Sequence, residues 1–111
     1  MQVTVESYGQ AAILHCKGEL TADTLDAFRK EVDHALQEPQ IRDLVMNLEE
    51  VPFLDSTALE YLLDLQEKLA ERLGQIKLAR PDENVAKVLE ITRLDSAFDR
   101  YTDLSAAVKT V

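Results

Sequence analysis

The stretch IRDLVMNLEEVPFLDSTALEYLL, Ile41 to Leu63, decides the architecture of the chain. Within it DLVMNL is a short, almost continuous apolar run, the pattern of a strand covered on both faces. From Leu59 the period changes, and positions 59, 62, 63, 66, 69, 70 and 73 trace one face of a helix, with Gly74 placed as its C′ residue. The connection, Val51 to Ser56, runs from the C-end of a strand to the N-end of a helix, where α/β folds build their sites. It finishes on Asp55, Ser56 and Thr57. All three can accept hydrogen bonds from the unpartnered amides of a helix start, where the helix dipole is positive. Thr57-Ala58-Leu59-Glu60 matches a capping box, with Thr57 as N-cap and Glu60 reaching back. That assignment leaves Ser56 one residue outside the helix, its hydroxyl free to face solvent. Capping alone accounts for these residues. The other reading is that a partner addresses Ser56 chemically, as a phosphorylation site.

Outward from this stretch the same two periods alternate. Towards the N-terminus, VTVES has one wet face, Tyr8-Gly9-Gln10 turns the chain, and AAILHCK returns as a second strand, so the two form a hairpin. Gly18 closes it. In LTADTLDAFRKEVDHALQ, Leu25, Phe28, Val32, Ala35 and Leu36 share one helical face; Thr21 or Asp23 can cap its start, and Pro39 lies beyond its end. Towards the C-terminus, IKLA reads as a strand. Pro81-Asp82 opens a short helix with Val85, Val88 and Leu89, AFDRY is a last strand, and Asp103 caps a final helix with Leu104, Ala107, Val108 and Val111. The order is β-β-α-β-α-β-α-β-α, an α/β fold with a mixed sheet of about five strands and about four helices. Strands joined through helices run parallel with right-handed crossovers, while the hairpin makes the first strand antiparallel. Crossovers that all progress one way gather the helices on one face of the sheet.

The chain of 111 residues reads as a single domain, 1–111, with no internal repeat, low-complexity tract or linker. Hydrophobic residues make up 46% and charged residues 30%, a globular composition. With 21 acidic against 12 basic residues the net charge is −9, which argues against nucleic-acid and anionic-membrane surfaces. Asp43, Glu49, Glu50, Asp55, Glu60 and Asp64 gather around the loop and the helix after it. They read as a solvated face or as steering towards a basic partner, Glu49 and Glu50 best placed for the latter. Cys16 is the single cysteine, so no intrachain disulfide forms, and it reads as a small core residue. His15 and Cys16 point to opposite faces of a strand, and no ligand spacing for a metal is present. The N-terminus lacks a signal-peptide layout, no apolar run approaches a membrane span, and a cytoplasmic location is expected. With glycine only at 9, 18 and 74 there is no phosphate-binding loop, so no cofactor is expected.

At Ile41 to Leu63 the sequence resembles the STAS domain family, and more narrowly its anti-sigma factor antagonists. The pattern is an apolar strand, Asn or Asp (here Asn47), a loop, then Asp-Ser-[Ser/Thr]-Gly-Leu. KGEL, Lys17 to Leu20, is similar to the family's Gly-Glu-Leu-Asp turn, and VLEITRLDSAFDRY to its Thr-Gly-Leu…Phe segment. Three spaced motifs in one matching element order cover nearly the whole chain. Thr21, Ala58 and Arg93 depart from the pattern, standing where the family has Asp, Gly and Gly. The resemblance implies a STAS fold and a partner-switching role without enzymatic activity. The unphosphorylated protein would bind an anti-sigma factor that is also a serine kinase, freeing a sigma factor. Phosphorylation of Ser56 would break the complex, and a serine phosphatase would reset it. The implied binding surface is the Val51–Thr57 loop, the first half of the following helix and the Gly18–Asp23 turn. Its named residues are Asp55, Thr57, Ala58, Leu59, Glu60, Gly18, Glu19, Thr21 and Asp23, with Asn47. The protein is expected to be a monomer or weak dimer. An alternative keeps the fold and makes the chain a STAS subunit docking the ATPase of a phospholipid-type ABC transport complex. A small enzyme would need a nucleophile–base pair that the sequence does not offer.

Overall fold

The computed structural model describes residues 1–92 and 98–109. Its elements follow the expected order: β1 (Gln2–Tyr8), β2 (Ala11–Lys17), α1 (Leu25–Ala35), β3 (Asp43–Glu50), α2 (Ser56–Ala70), β4 (Ile76–Ala79), α3 (Glu83–Ile91), β5 (Asp99–Tyr101) and α4 (Leu104–Lys109). The strands form one sheet in the order β1-β2-β3-β4-β5. β1 pairs antiparallel with β2, and every later pair is parallel. Each parallel connection steps to the adjacent strand in the same direction, so right-handed crossovers put α1, α2 and α3 on one face.

The period-two alternation of the strands sorts their side chains between faces. Ala12, Leu14 and Cys16 of β2, Leu44, Met46 and Leu48 of β3, and Ile76 and Leu78 of β4 point into the main core. There they meet Phe28 and Val32 of α1, Leu62, Leu65 and Leu69 of α2, and Val85 and Leu89 of α3. Phe28 is fully buried, and its ring meets Tyr61 edge-on at 6.0 Å and 87°, locking α1 to α2. Burying one such side chain contributes about 1.5–3 kcal/mol.

The expectation of a single helical face holds for three helices and fails for α4. Among the described residues α4 does not lead into another strand of the sheet, so the crossover rule does not fix its face. It packs on the opposite face, where Ala107 covers Ala11, Ile13, Val45 and Ala79. The rest of that face is polar, carrying His15 and Asn47, and a shallow hollow there is lined by Gln2, Thr4, Lys17 and Glu49 among others.

Several boundaries differ from expectation. β1 is one residue longer at each end, β3 runs on through Glu50, and β5 begins only at Asp99. Neither Thr21 nor Asp23 caps α1. The N-cap is Thr24, whose hydroxyl ties the preceding turn together instead. The C′ conformation after α2 belongs to Leu73, at φ 63°, and not to Gly74. The Gly74 amide donates to the Leu69 carbonyl at 2.8 Å. A Cβ at Gly74 would lie 1.8 Å from the Arg42 carbonyl oxygen, so space and not dihedral freedom demands glycine there. Arg93, Ala97 and Val111 lie outside the described residues.

Candidate functional site

Near its end β3 passes a register irregularity against β2, where Lys17 pairs with Glu50 although His15 pairs with Asn47, and the chain leaves the sheet after Glu50. The offset swings both chains away together. The Gly18 amide donates to the Glu50 carbonyl at 3.0 Å, and the Leu20 amide to the Phe53 carbonyl at 3.0 Å. The Asp55 amide in turn donates to the Leu20 carbonyl at 3.2 Å, and Leu20 and Leu54 form a parallel bridge. Gly18 needs its φ of 107°, a region that favours glycine. Val51, Leu54 and Leu20 are buried beneath this zipped pair of segments. The Gly18–Asp23 turn and the Val51–Asp55 loop therefore form one surface.

The expected capping box does not form. Asp55, not Thr57, is the N-cap of α2: its backbone is extended and its Oδ1 accepts from the Ala58 amide at 2.9 Å. Its Oδ2 accepts from the Ala22 amide at 2.9 Å. One carboxylate thus clamps the turn to the start of the helix across 33 positions of sequence. These bonds favour the ionised form, and the Ala58 amide, followed by the Ala22 amide, holds the carboxyl below its ordinary pKa. Asp55 wins over Thr57 because it serves two orphan amides on two segments. With Asp55 as cap, Ser56 is the first residue of α2, inside the helix and not one residue outside it. It is nevertheless exposed, as is Thr57.

The remaining candidate residues divide. Glu19, Asp23 and Glu60 are exposed around the same surface, and Thr21 is half-buried with its amide bonded to the Thr24 hydroxyl at 2.9 Å. Ala58 and Leu59 face the core, at 0% and 4% exposure, so neither side chain is offered to a partner. The methyl that Ala58 carries in place of the family's glycine therefore fills core volume. Asn47 lies on the sheet face opposite α2, where its Nδ2 is 3.1 Å from His15 Nδ1 and its Oδ1 accepts from the Glu49 amide at 3.2 Å. His15 Nε2 meets Glu6 on its other side. Asp43 begins β3, at the far end of the strand from the loop, and accepts there from the Gln75 amide at 2.9 Å, so it leaves the acidic group. Glu49 is engaged by Arg80 at 3.0 Å.

Cys16 is buried, and burial pushes its thiol up to about 12, which rules out a ready thiolate. Among the described residues no group of three metal-ligating side chains comes together, and no helix is long and apolar enough to cross a membrane. Sequence reasoning placed Phe53 on the expected surface only as part of the Val51–Thr57 loop and did not single it out. It lies within an unbroken apolar run with Val51 and Leu54, yet it is 43% exposed while those two are buried. The signal was available: Pro52, just past the end of β3, cannot donate to a strand ladder, and a turning chain cannot bury every side chain of such a run.

The STAS domain profile matches residues 2–109. A curated relative, the anti-sigma F factor antagonist of Paenibacillus polymyxa, is 26% identical over 94 residues, covering 85% of this chain and 80% of its own. An anti-sigma factor antagonist structure from Mycobacterium paratuberculosis superposes with a TM-score of 0.85 at 24% identity, covering 99% of this chain and 92% of that one. The anti-sigma factor antagonist SpoIIAA in its unphosphorylated form gives 0.81 at 20% identity, with 98% and 96% covered. The phosphorylated form of SpoIIAA, from Bacillus, gives 0.74 at 19% identity, with 99% and 100% covered. These structures share the present fold.

Proposed function

The chain belongs to the STAS domain family, and from that membership we propose that it is an anti-sigma factor antagonist switched off by phosphorylation at Ser56. In this reading the unphosphorylated protein docks an anti-sigma factor with serine kinase activity and so frees a sigma factor. The kinase holds ATP and transfers its γ-phosphoryl group to Ser56 Oγ, with loss of the hydroxyl proton and release of ADP. A phosphatase hydrolyses the phosphoester and restores the hydroxyl.

One observation carries the reading: Ser56 is exposed at the first residue of α2, beside a carboxylate whose oxygens are already engaged by the Ala22 and Ala58 amides. A phosphate at Ser56 would add a charge of about −1.5 to −2 next to Asp55. Two of the amides that could have absorbed it, those of Ala22 and Ala58, are taken, and the chain already carries −9. The dianion therefore stays at the surface, where a docked partner would have to desolvate it and make room for it. Phosphorylation acts by evicting the partner, while α2, whose dipole favours the new charge, stays formed.

Incubation with candidate anti-sigma factor kinase and ATP, followed by mass spectrometry, should place one phosphoryl group on the Ser56 peptide. Ser56→Ala should bind the kinase and remain unmodified, and Ser56→Asp should fail to bind. Equal affinity of wild type and Ser56→Asp in calorimetry would overturn the switch.

A further inference from the structure

Four large apolar side chains are exposed among the described residues: Tyr8, Phe53, Leu73 and Ile91. Single exposed apolar residues are ordinary on protein surfaces. Leu73 sits beyond the far end of α2, about 22 Å along the helix from Ser56, and Ile91 ends α3. Tyr8 ends β1 at the hairpin. Phe53 alone stands three residues from the switch serine, on the surface zipped to the Gly18–Asp23 turn.

Phe53 cannot fold inward. The space beneath its loop is filled by Leu20, Val51 and Leu54, each at most 1% exposed. Its own carbonyl is held by the Leu20 amide at 3.0 Å, and the Val51 amide is held by the Leu48 carbonyl at 3.1 Å. The ring is therefore fixed outward on a tied backbone. Glu19 and Glu50 are exposed on the two segments joined at the Phe53 carbonyl, and Asp23 and Glu60 are exposed on the turn and the helix that continue them. An aromatic centre within an acidic surround matches the anatomy of an interface hot spot, where a desolvated anchor is ringed by polar contacts.

We propose that Phe53 is the apolar anchor of the partner interface, seated in a nonpolar pocket with a basic rim on the anti-sigma factor. This rests on the antagonist reading above and adds to it the residue that supplies binding energy and the chemistry of its receptor. It also gives the eviction a geometry: the bulk and hydration of a phosphate at Ser56, three residues away, hold the receptor off the Phe53 ring, so the apolar contact is lost despite the basic rim.

The probes are the anti-sigma factor kinases encoded in the source genome, purified and titrated by calorimetry against the full chain. Phe53→Ala should weaken binding about 30-fold or more, the size expected of a hot-spot residue. Leu73→Ala, which removes an apolar side chain of greater exposure at the far end of α2, should bind as wild type does. Raising the salt concentration should weaken wild type and Phe53→Ala by similar factors, since the acidic surround is common to both. A second readout needs no substitution at the site. Fluorophenylalanine labels Phe28, Phe53 and Phe98, of which only Phe53 is exposed. Its fluorine resonance should shift and lose its solvent isotope effect when the kinase is added. If Ser56→Asp abolishes binding while Phe53→Ala matches wild type, or the Phe53 resonance stays put, the anchor falls and the switch stands. If none of the kinases binds wild type, the antagonist reading falls and the anchor with it.

Discussion

Asp55 uses both carboxylate oxygens on backbone amides, one at the helix it caps and one on a turn far away in sequence. Its pKa is lower in the folded chain than in the unfolded one. The unfolded chain therefore takes up the proton more readily, and stability falls with pH in that range. The contribution is complete above the unfolded value of about 3.9 and is lost as pH falls through the folded value. The melting temperature of wild type should exceed that of Asp55→Ala at neutral pH, and the gap should close in acid; a gap that stayed constant to pH about 2 would show that the carboxylate charge is not responsible. An acceptor at the helix start was legible in the sequence, because Asp, Ser and Thr all favour that position. Which of them would win was not. The deciding bond runs to the amide of Ala22, and backbone amides carry no sequence signature. Phe53 was hidden for a related reason: an apolar letter in an apolar run reads as core until the path of the chain is known.

Helix α2 is fixed at both ends by contacts of different character. At its start a charge holds it, and at its end there is simply no room. The stop signal at Gly74 was readable, but its cause was misassigned: Leu73 adopts the left-handed conformation, and Gly74 passes against the Arg42 carbonyl. The two neighbours should respond with opposite sign. Gly74→Ala should destabilise the protein by about 3 kcal/mol or more, since the added methyl meets backbone that cannot step aside. Leu73→Gly should stabilise by roughly 0.5–1 kcal/mol, because it relieves the left-handed penalty at a side chain that is 86% exposed. Urea denaturation of the two variants measures both. The face chosen by α4 was not legible, because the handedness rule speaks only of helices that lead to another parallel strand.

For the whole molecule, most of the architecture followed from the alternation of two hydrophobic periods and from the direction of the crossovers. The antiparallel β1 and the grouping of α1, α2 and α3 come from those local patterns, while the spatial order of the strands comes from the structure. Long-range closure of the surface around Ser56 did not, since it depends on a register shift between β2 and β3 and on hydrogen bonds between segments distant in sequence. That closure bears on time as well as shape. Two rigid bodies that need only find their mutual orientation associate at about 10⁵–10⁷ per molar per second, and attraction between opposite charges raises the figure at low salt. Stopped-flow mixing should therefore give a single capture phase that grows linearly with partner concentration, without the plateau that a slow rearrangement of this chain would impose. Residence time would then be the quantity that evolution tunes, and a modification at residue 56 would shorten it without waiting for anything in the fold to move.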